Sequence, residues 1–250
     1  MRCKKIPVTG LGDSIRGFCT TRQPGASAKP FDSFNLADHV GDDHAHVEIN
    51  RQHLAQCLPQ APVWVKQVHG TRVLDATTID QTTDFEADAL VTTQAGQVLA
   101  ILTADCMPVV MADDAHRVLG LAHAGWRGLA GGVLSATVAA MQAHVGGMGS
   151  WRAWIGPCIG PRAFEVGEEV RETFLQIDAG FSQYFVRDVA PHKWRCNMPG
   201  IARDMLSGLG AQAVDWCGLC TVDDPEQRFF SYRRQGQTGR MATVAWIEAA

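Results

Sequence analysis

The stretch from Val98 to Gly132, VLAILTADCMPVVMADDAHRVLGLAHAGWRGLAGG, constrains the fold more than any other part of the chain. Met107 to Ala112 is an apolar run, Asp113 to His116 is a polar turn, and Val118 to His123 alternates as a strand does. The pattern predicts a hairpin closed by a four-residue loop over 113–116, followed by a glycine-rich entry into a helix. In that register Ala112 faces Arg117, and Cys106 faces His123. Directly opposed residues share a face with Cβ atoms about 5 Å apart, so a thiol and an imidazole would converge. A slip of one residue would send one of them to the other face. Pro108, inside the first strand, signals an edge or a bulge.

Three chemistries suit Cys106 and His123. They can simply pack, since free cysteine is among the most buried residues. They can form a thiol dyad, in which the imidazole lowers the thiol pKa and makes a nucleophile. They can also bind a metal together with His69. VWVKQVHGTRVL reads as two strands, Val63 to Val68 and Thr71 to Ala76, flanking His69-Gly70. Two histidines and a cysteine supply three ligands for Zn²⁺, and three with a vacant position is the catalytic pattern. One thiolate leaves such a site formally positive, able to activate water or attract an anion.

KQVHG, TADC-MP, AHAGWRG, WIGPCIGP, FEVG and FFSYRR followed by TGRMA, in that order from about Gly17 to about Ile247, together resemble one family. It has long been described as polyphenol oxidases with a laccase domain, and more recently as purine nucleoside phosphorylases. The resemblance implies that His69, Cys106 and His123 are zinc ligands and the catalytic group. It also implies phosphorolysis of adenosine, inosine and methylthioadenosine, with adenosine deamination as a further activity. Some bacterial members are credited with removing wrongly built peptidoglycan precursors. A true laccase needs several copper ions; nine histidines with one HxH pattern, His44-Ala45-His46, are too few, which disfavours copper and the oxidase reading.

The chain of 250 residues suits one domain over 1–250. A net charge of −4 and a pI near 6.1 argue against nucleic-acid binding, which needs clustered Lys and Arg. Basic Met1 to Lys5 is followed by no apolar h-region, and the longest apolar stretch is broken by Asp105. These features predict a cytoplasmic protein without a membrane span. Eight cysteines in such a chain are expected as thiols. CGLC, Cys217 to Cys220, lacks a second CxxC for a zinc ribbon and is read as packing or site wall.

Elsewhere the pattern predicts a strand at Ile15 to Thr20 and a helix over 43–57 with Asp42 as N-cap. Further strands are expected at Asp88 to Thr92, Trp151 to Ile155, Ala213 to Trp216 and Met241 to Trp246. Helices are expected over 133–144 and 167–177, and from Asn197 through Leu209. Without a regular βα alternation or a GxGxxG turn, the fold class is α+β, which the resemblance fills in as mixed β-sheets packed together with flanking helices. Small-molecule nucleoside and phosphate are the expected partners. Candidates for holding them are Arg127, beside Gly125, Gly128, Gly131 and Gly132 at a helix start, then Arg233 and Lys66. Arg162 and Glu165 on a stiff loop, and Arg234 and Arg240 near Tyr232, are further polar groups. Two other functions compete: a Cys-His thiol hydrolase or amidase, and a zinc-binding module without turnover.

Overall fold

The central hairpin belongs to two cores at once. In the computed structural model, which describes residues 4–79 and 85–249, the elements run β1 (Lys5–Pro7), β2 (Ile15–Thr20), α1 (His44–Ala55), β3 (Val73–Asp75), β4 (Ala89–Thr92), β5 (Leu99–Thr103), β6 (Met107–Asp113) and β7 (Leu119–Ala124). They continue with α2 (Trp126–Gly131), α3 (Val133–Val145), β8 (Trp151–Ile155), β9 (Glu165–Gly167), α4 (Glu168–Ile177), β10 (Phe185–Arg187) and β11 (Lys193–Cys196). The last are α5 (Met198–Gly208), β12 (Ala213–Trp216), α6 (Tyr232–Gln235) and β13 (Met241–Ile247). Residues 1–3 of the basic N-terminal run lie outside the described part.

A six-stranded mixed sheet has the order β12-β8-β6-β7-β4-β3, and a four-stranded antiparallel sheet the order β1-β2-β13-β5. A small sheet, β10-β11-β9, stands apart from both. Side-chain alternation along β6 explains why its sequence is apolar throughout. Val110 and Ala112 pack with Leu99, Ile101 and Met241 of the four-stranded sheet. Met107, Val109 and Met111 pack on the opposite face against α3, α4 and α5, through Val138, Phe174 and Ile201. A strand buried on both faces reads as continuous rather than alternating hydrophobicity. The outer face of the four-stranded sheet is covered in turn by Leu54 of α1, with Leu36 and Trp64. The fold is therefore α+β, with mixed sheets stacked between flanking helices. No helix among the described residues is long and apolar enough to cross a membrane.

The hairpin register differs from the expected one. Ala112 pairs with Leu119, and Pro108 rather than Cys106 lies opposite His123. The cause is Asp113, read as a loop residue but ending β6 with its carboxylate buried. It accepts hydrogen bonds from the backbone N–H groups of Arg117 (2.6 Å) and Val118 (3.0 Å) and from Arg117 Nε (2.8 Å). Those contacts stabilise a longer loop. A shift of two residues keeps every side chain on its face where a shift of one would not, so His123 still shares the inter-sheet face of Leu121. Pro108 needs neither an edge nor a bulge, because it stands at the start of β6, where a missing N–H costs least.

The segment around His69 also departs from expectation. Instead of a hairpin, Val63 bridges to Leu99 of the four-stranded sheet, while β3 pairs in parallel with β4 of the six-stranded one. His69-Gly70 is thus a crossing between sheets. Helix α1 is capped by Asp43, whose Oδ1 accepts from Ala45 N (2.8 Å), whereas Asp42 binds Asn35. Helix α5 starts where expected, with Asn197 accepting from Gly200 N (3.0 Å).

Asp113→Ala removes the acceptor for two backbone donors, that of Val118 buried and that of Arg117 partly so. It is expected to destabilise the protein by about 2–3 kcal/mol, read as a lower urea midpoint at unchanged m-value. An unmoved midpoint would mean that the loop closes without Asp113.

Candidate active site

Two loops and strand β7, which carries His123, deliver the three clustered side chains. One is the crossing at His69, and the other joins β5 of the four-stranded sheet to β6 of the six-stranded sheet, carrying Ala104, Asp105 and Cys106. Both crossings contain a non-glycine residue with positive φ, His69 at 60° and Asp105 at 92°. Such conformations cost of order 1–3 kcal/mol and persist where surrounding bonds over-determine them. At His69 the determining group is Asp88, just before β4. Its carboxylate accepts from the backbone N–H groups of Val68 (3.2 Å), His69 (2.9 Å) and Gly70 (2.7 Å). The same carboxylate meets His123 Nδ1 at 2.8 Å.

The ligand atoms of His69, Cys106 and His123 lie within 4.8 Å of one another. Cys106 Sγ is 3.7 Å from His69 Nε2, and the two imidazoles stand edge-to-face with centroids 4.8 Å apart. Gly125, which follows β7, permits this approach: a Cβ there would sit 3.0 Å from Cys106 Sγ and 2.8 Å from His69 Cδ2. Burial by itself would raise the Cys106 thiol, yet the charge of His123 and hydrogen bonds from both imidazoles bring it below the usual thiol value. Burial likewise opposes the charge on His123, but the Cys106 thiolate and the Asp88 carboxylate raise it above the usual imidazole value. Asp88, for its part, is lowered in spite of burial, by the hydrogen bonds from His123 and Gly70.

Among the described residues this is the one group of three or more His, Cys, Asp or Glu side chains arranged to hold a metal. The donor set fits a borderline ion such as Zn²⁺: two imidazoles, a thiol already drawn towards thiolate, and a carboxylate on the far nitrogen of one imidazole. His44 and His46 of the HxH pattern lie on α1, outside the group.

The cluster opens into a cavity of about 330 Å³, whose wall includes Asp105, Tyr232, Arg233 and Arg240. Arg233 donates Nη1 to Glu165 O (2.8 Å) and lies over the Phe164 ring. Burial presses the Arg240 guanidinium below its usual value, countered in part by Cys106 and Asp105. The other predicted anion groups are elsewhere. Arg127 is exposed, stacked on Trp126 with 4.5 Å to the ring centroid. Lys66 pairs with Glu86 (2.9 Å) on an adjoining groove, which carries none of the three clustered ligands. Arg162 is exposed, and Arg234 is spent on the carbonyls of Thr221, Val222 and Phe229. Cys220 accepts from Gly160 N (3.2 Å), and its backbone pairs in parallel with that of Cys158, both thiols being free. Sequence reading missed Asp88 as a functional group. Its one signal was an acid at the head of an otherwise buried strand, 0% exposed here.

Residues 16–248 match the family described as multi-copper polyphenol oxidoreductase laccase. The chain belongs to this family. Similar curated members include proteins named purine nucleoside phosphorylase from Escherichia coli, 43% identical over 97% of this chain and 98% of that one, and from Pseudomonas aeruginosa, 42% identical over 94% of each. A solved structure of a Neisseria meningitidis protein superposes with a TM-score of 0.89 at 34% identity, covering 98% of this chain and 99% of that chain. The family description speaks of several coppers, while this laccase-family chain offers one three-ligand group among its described residues.

Asp88→Asn leaves a carboxamide where three N–H donors and an imidazole need an acceptor. Zn²⁺ affinity, measured by competition with a chelating dye, should fall about 10–100-fold, the usual cost of losing the partner of a ligating histidine. An affinity within twofold of wild type would show that Asp88 does not orient His123.

Proposed function

We propose that the chain is a purine nucleoside phosphorylase, acting on adenosine, inosine and methylthioadenosine with inorganic phosphate, and that His69, Cys106 and His123 hold Zn²⁺. The observation that carries this reading is one cavity, of a volume usual for small-molecule sites, that combines the three-ligand group with the guanidiniums of Arg233 and Arg240. The names of relatives at 42–43% identity over nearly the whole chain support it. Zinc is favoured over copper because a copper oxidase needs several ions and ligand sets.

Phosphorolysis breaks the C1′–N bond, whose electron pair leaves with the base, and forms a C1′–O bond from phosphate. Positive charge develops on the ribose, and a positioned anion stabilises it. Arg233 and Arg240 are the groups that would hold that anion, through charge-assisted hydrogen bonds. Phe164 and Tyr232, on the same wall, supply aromatic surface against which a purine could pack. Asp88 keeps His123 turned with Nδ1 on the buried carboxylate and Nε2 toward the cluster. When bound, the metal would supply Lewis-acid polarisation at this wall. Deamination of adenosine at the same wall would need a carboxylate to move a proton. The two carboxylates nearby, Asp88 and Asp105, are engaged by protein donors, so phosphorolysis is the better supported reaction.

A second reading has its own observation. Cys106, His123 and Asp88 stand in the order nucleophile, base and orienting acid, with the thiol lowered. That order suits a thiol hydrolase or amidase.

Two measurements test these readings. Arg233→Ala should raise the KM for phosphate about 10–100-fold, the worth of a charge-assisted contact, whereas Arg127→Ala should leave it unchanged. The reverse pattern would move the anion to the start of α2. Cys106→Asp separates the two mechanisms, because a carboxylate can ligate Zn²⁺ but cannot repeat covalent thiol chemistry. The variant should keep bound zinc and measurable release of free base from inosine. A variant carrying a full equivalent of zinc yet inactive would favour the thiol nucleophile.

A further inference from the structure

We propose that Asp105 is a positioning residue, which holds Arg233 at a set distance from Cys106 and so locks the anion-binding side of the cavity to the metal-binding side. The inference rests on the phosphorylase reading of the site. Asp105 immediately precedes Cys106 in the crossing between sheets, so whatever fixes its backbone also fixes where the thiol points. Its φ of 92° is one that a residue with a Cβ rarely adopts. It is nevertheless nearly buried, at 9% exposure.

What holds it there are bonds to three segments distant in sequence: two loops and the start of α6. Thr221 Oγ1 donates to Asp105 Oδ1 at 2.6 Å, and Arg233 N donates to Asp105 Oδ2 at 2.7 Å. Ile159 N donates to the Asp105 carbonyl at 2.9 Å. An ionised carboxylate accepts and cannot donate, so it suits two facing donors in a way that no neutral side chain of its size does. Both contacts are in the short range of charge-assisted bonds.

The contact to Arg233 distinguishes this arrangement from ordinary loop bracing. Arg233 is fastened at both ends: its main-chain N–H to Asp105, and its Nη1 to Glu165 O at 2.8 Å. The planar fork has five N–H donors, and the side chain lines the cavity that Cys106 also lines. Asp105 thus joins the ligand thiol, one residue away in the chain, to the anion-binding arginine, 128 residues away. With both carboxylate oxygens accepting from protein donors, its part is to place Arg233 rather than to exchange a proton with substrate.

A double-mutant cycle tests this. Asp105→Asn keeps the size and tolerance of positive φ, but its carboxamide has one acceptor oxygen for two donors. It should raise the KM for phosphate about tenfold, the loss of one charge-assisted bond, while kcat at saturating phosphate changes far less. In an Arg233→Ala background the same change should add nothing, because the group it positions is gone. Calorimetric titration with inorganic phosphate of protein loaded with Zn²⁺ should show the same non-additivity in Kd. Asp105→Gly, which suits a φ of +92° while deleting both side-chain bonds, serves if the Asn variant does not fold, and should raise the KM at least as much. Multiplying losses in the double mutant, or a fall in kcat with KM unchanged, would overturn the inference. Wild-type protein that binds phosphate but releases no base would sink the phosphorylase reading and leave the Kd cycle to decide on Asp105. Wild type that binds no phosphate would overturn the inference itself.

Discussion

The site depends on one buried carboxylate. Asp88 accepts from three consecutive backbone N–H groups around His69 and from Nδ1 of His123, so a single side chain sets two of the three clustered side chains. Its negative charge is tolerable in the interior because every approach to it is a donor, and a buried charge without such partners would cost several kcal/mol. The same charge favours a positive His123, which in turn draws the Cys106 thiol towards thiolate. Remove Asp88, and the left-handed turn at His69, the orientation of His123 and the electrostatics of Cys106 lose their common support together.

The position of the site follows from the layering. A site between stacked sheets needs places where the chain leaves one sheet for the other, and the loops that carry His69 and Cys106 are such crossings. Inside each layer, apolar alternation fills the space: Val110 and Leu121 on one side, Val109 and Ala122 on the other. At the end of the inter-sheet core that filling stops, and Asp105, Cys106 and His123 occupy the margin. Strained backbone at His69 and Asp105 is concentrated there, where carboxylate bonds supply the compensation. Arg233 and Arg240 come to the same margin from the far end of the chain, because β13 pairs with β5 and brings the loop before it over the β5–β6 crossing.

Much of this was legible in the amino-acid order, for reasons of local physics. Strands at Ile15–Thr20, Trp151–Ile155 and Ala213–Trp216 stand where periodicity put them, and Asn197 caps α5 as its type and place imply. Such features depend on neighbours within a few residues. The hairpin register was off by two because the preference of Asp113 for two backbone donors is a contact, and contacts are not periodic. The cap expected at Asp42 is one residue early, because nothing local separates Asp42 from Asp43; in the fold Asp42 accepts from Asn35 and Asp43 caps the helix.

The sequence by itself determined which chemistry was available: two histidines and a cysteine in motifs that resemble one family, an apolar hairpin leading into a glycine-rich helix start, and too few histidines for several coppers. It did not determine who would use the arginines. Arg127, beside a glycine-rich helix start, had the better local argument, yet it stacks on Trp126 in solvent, while Arg233 and Arg240 line the cavity. Nor could it rank Asp88 and Asp105 among 26 acidic residues. Their contacts arise from donors brought together across 18 to 128 positions, and only the packing of two sheets against each other decides which distant groups meet.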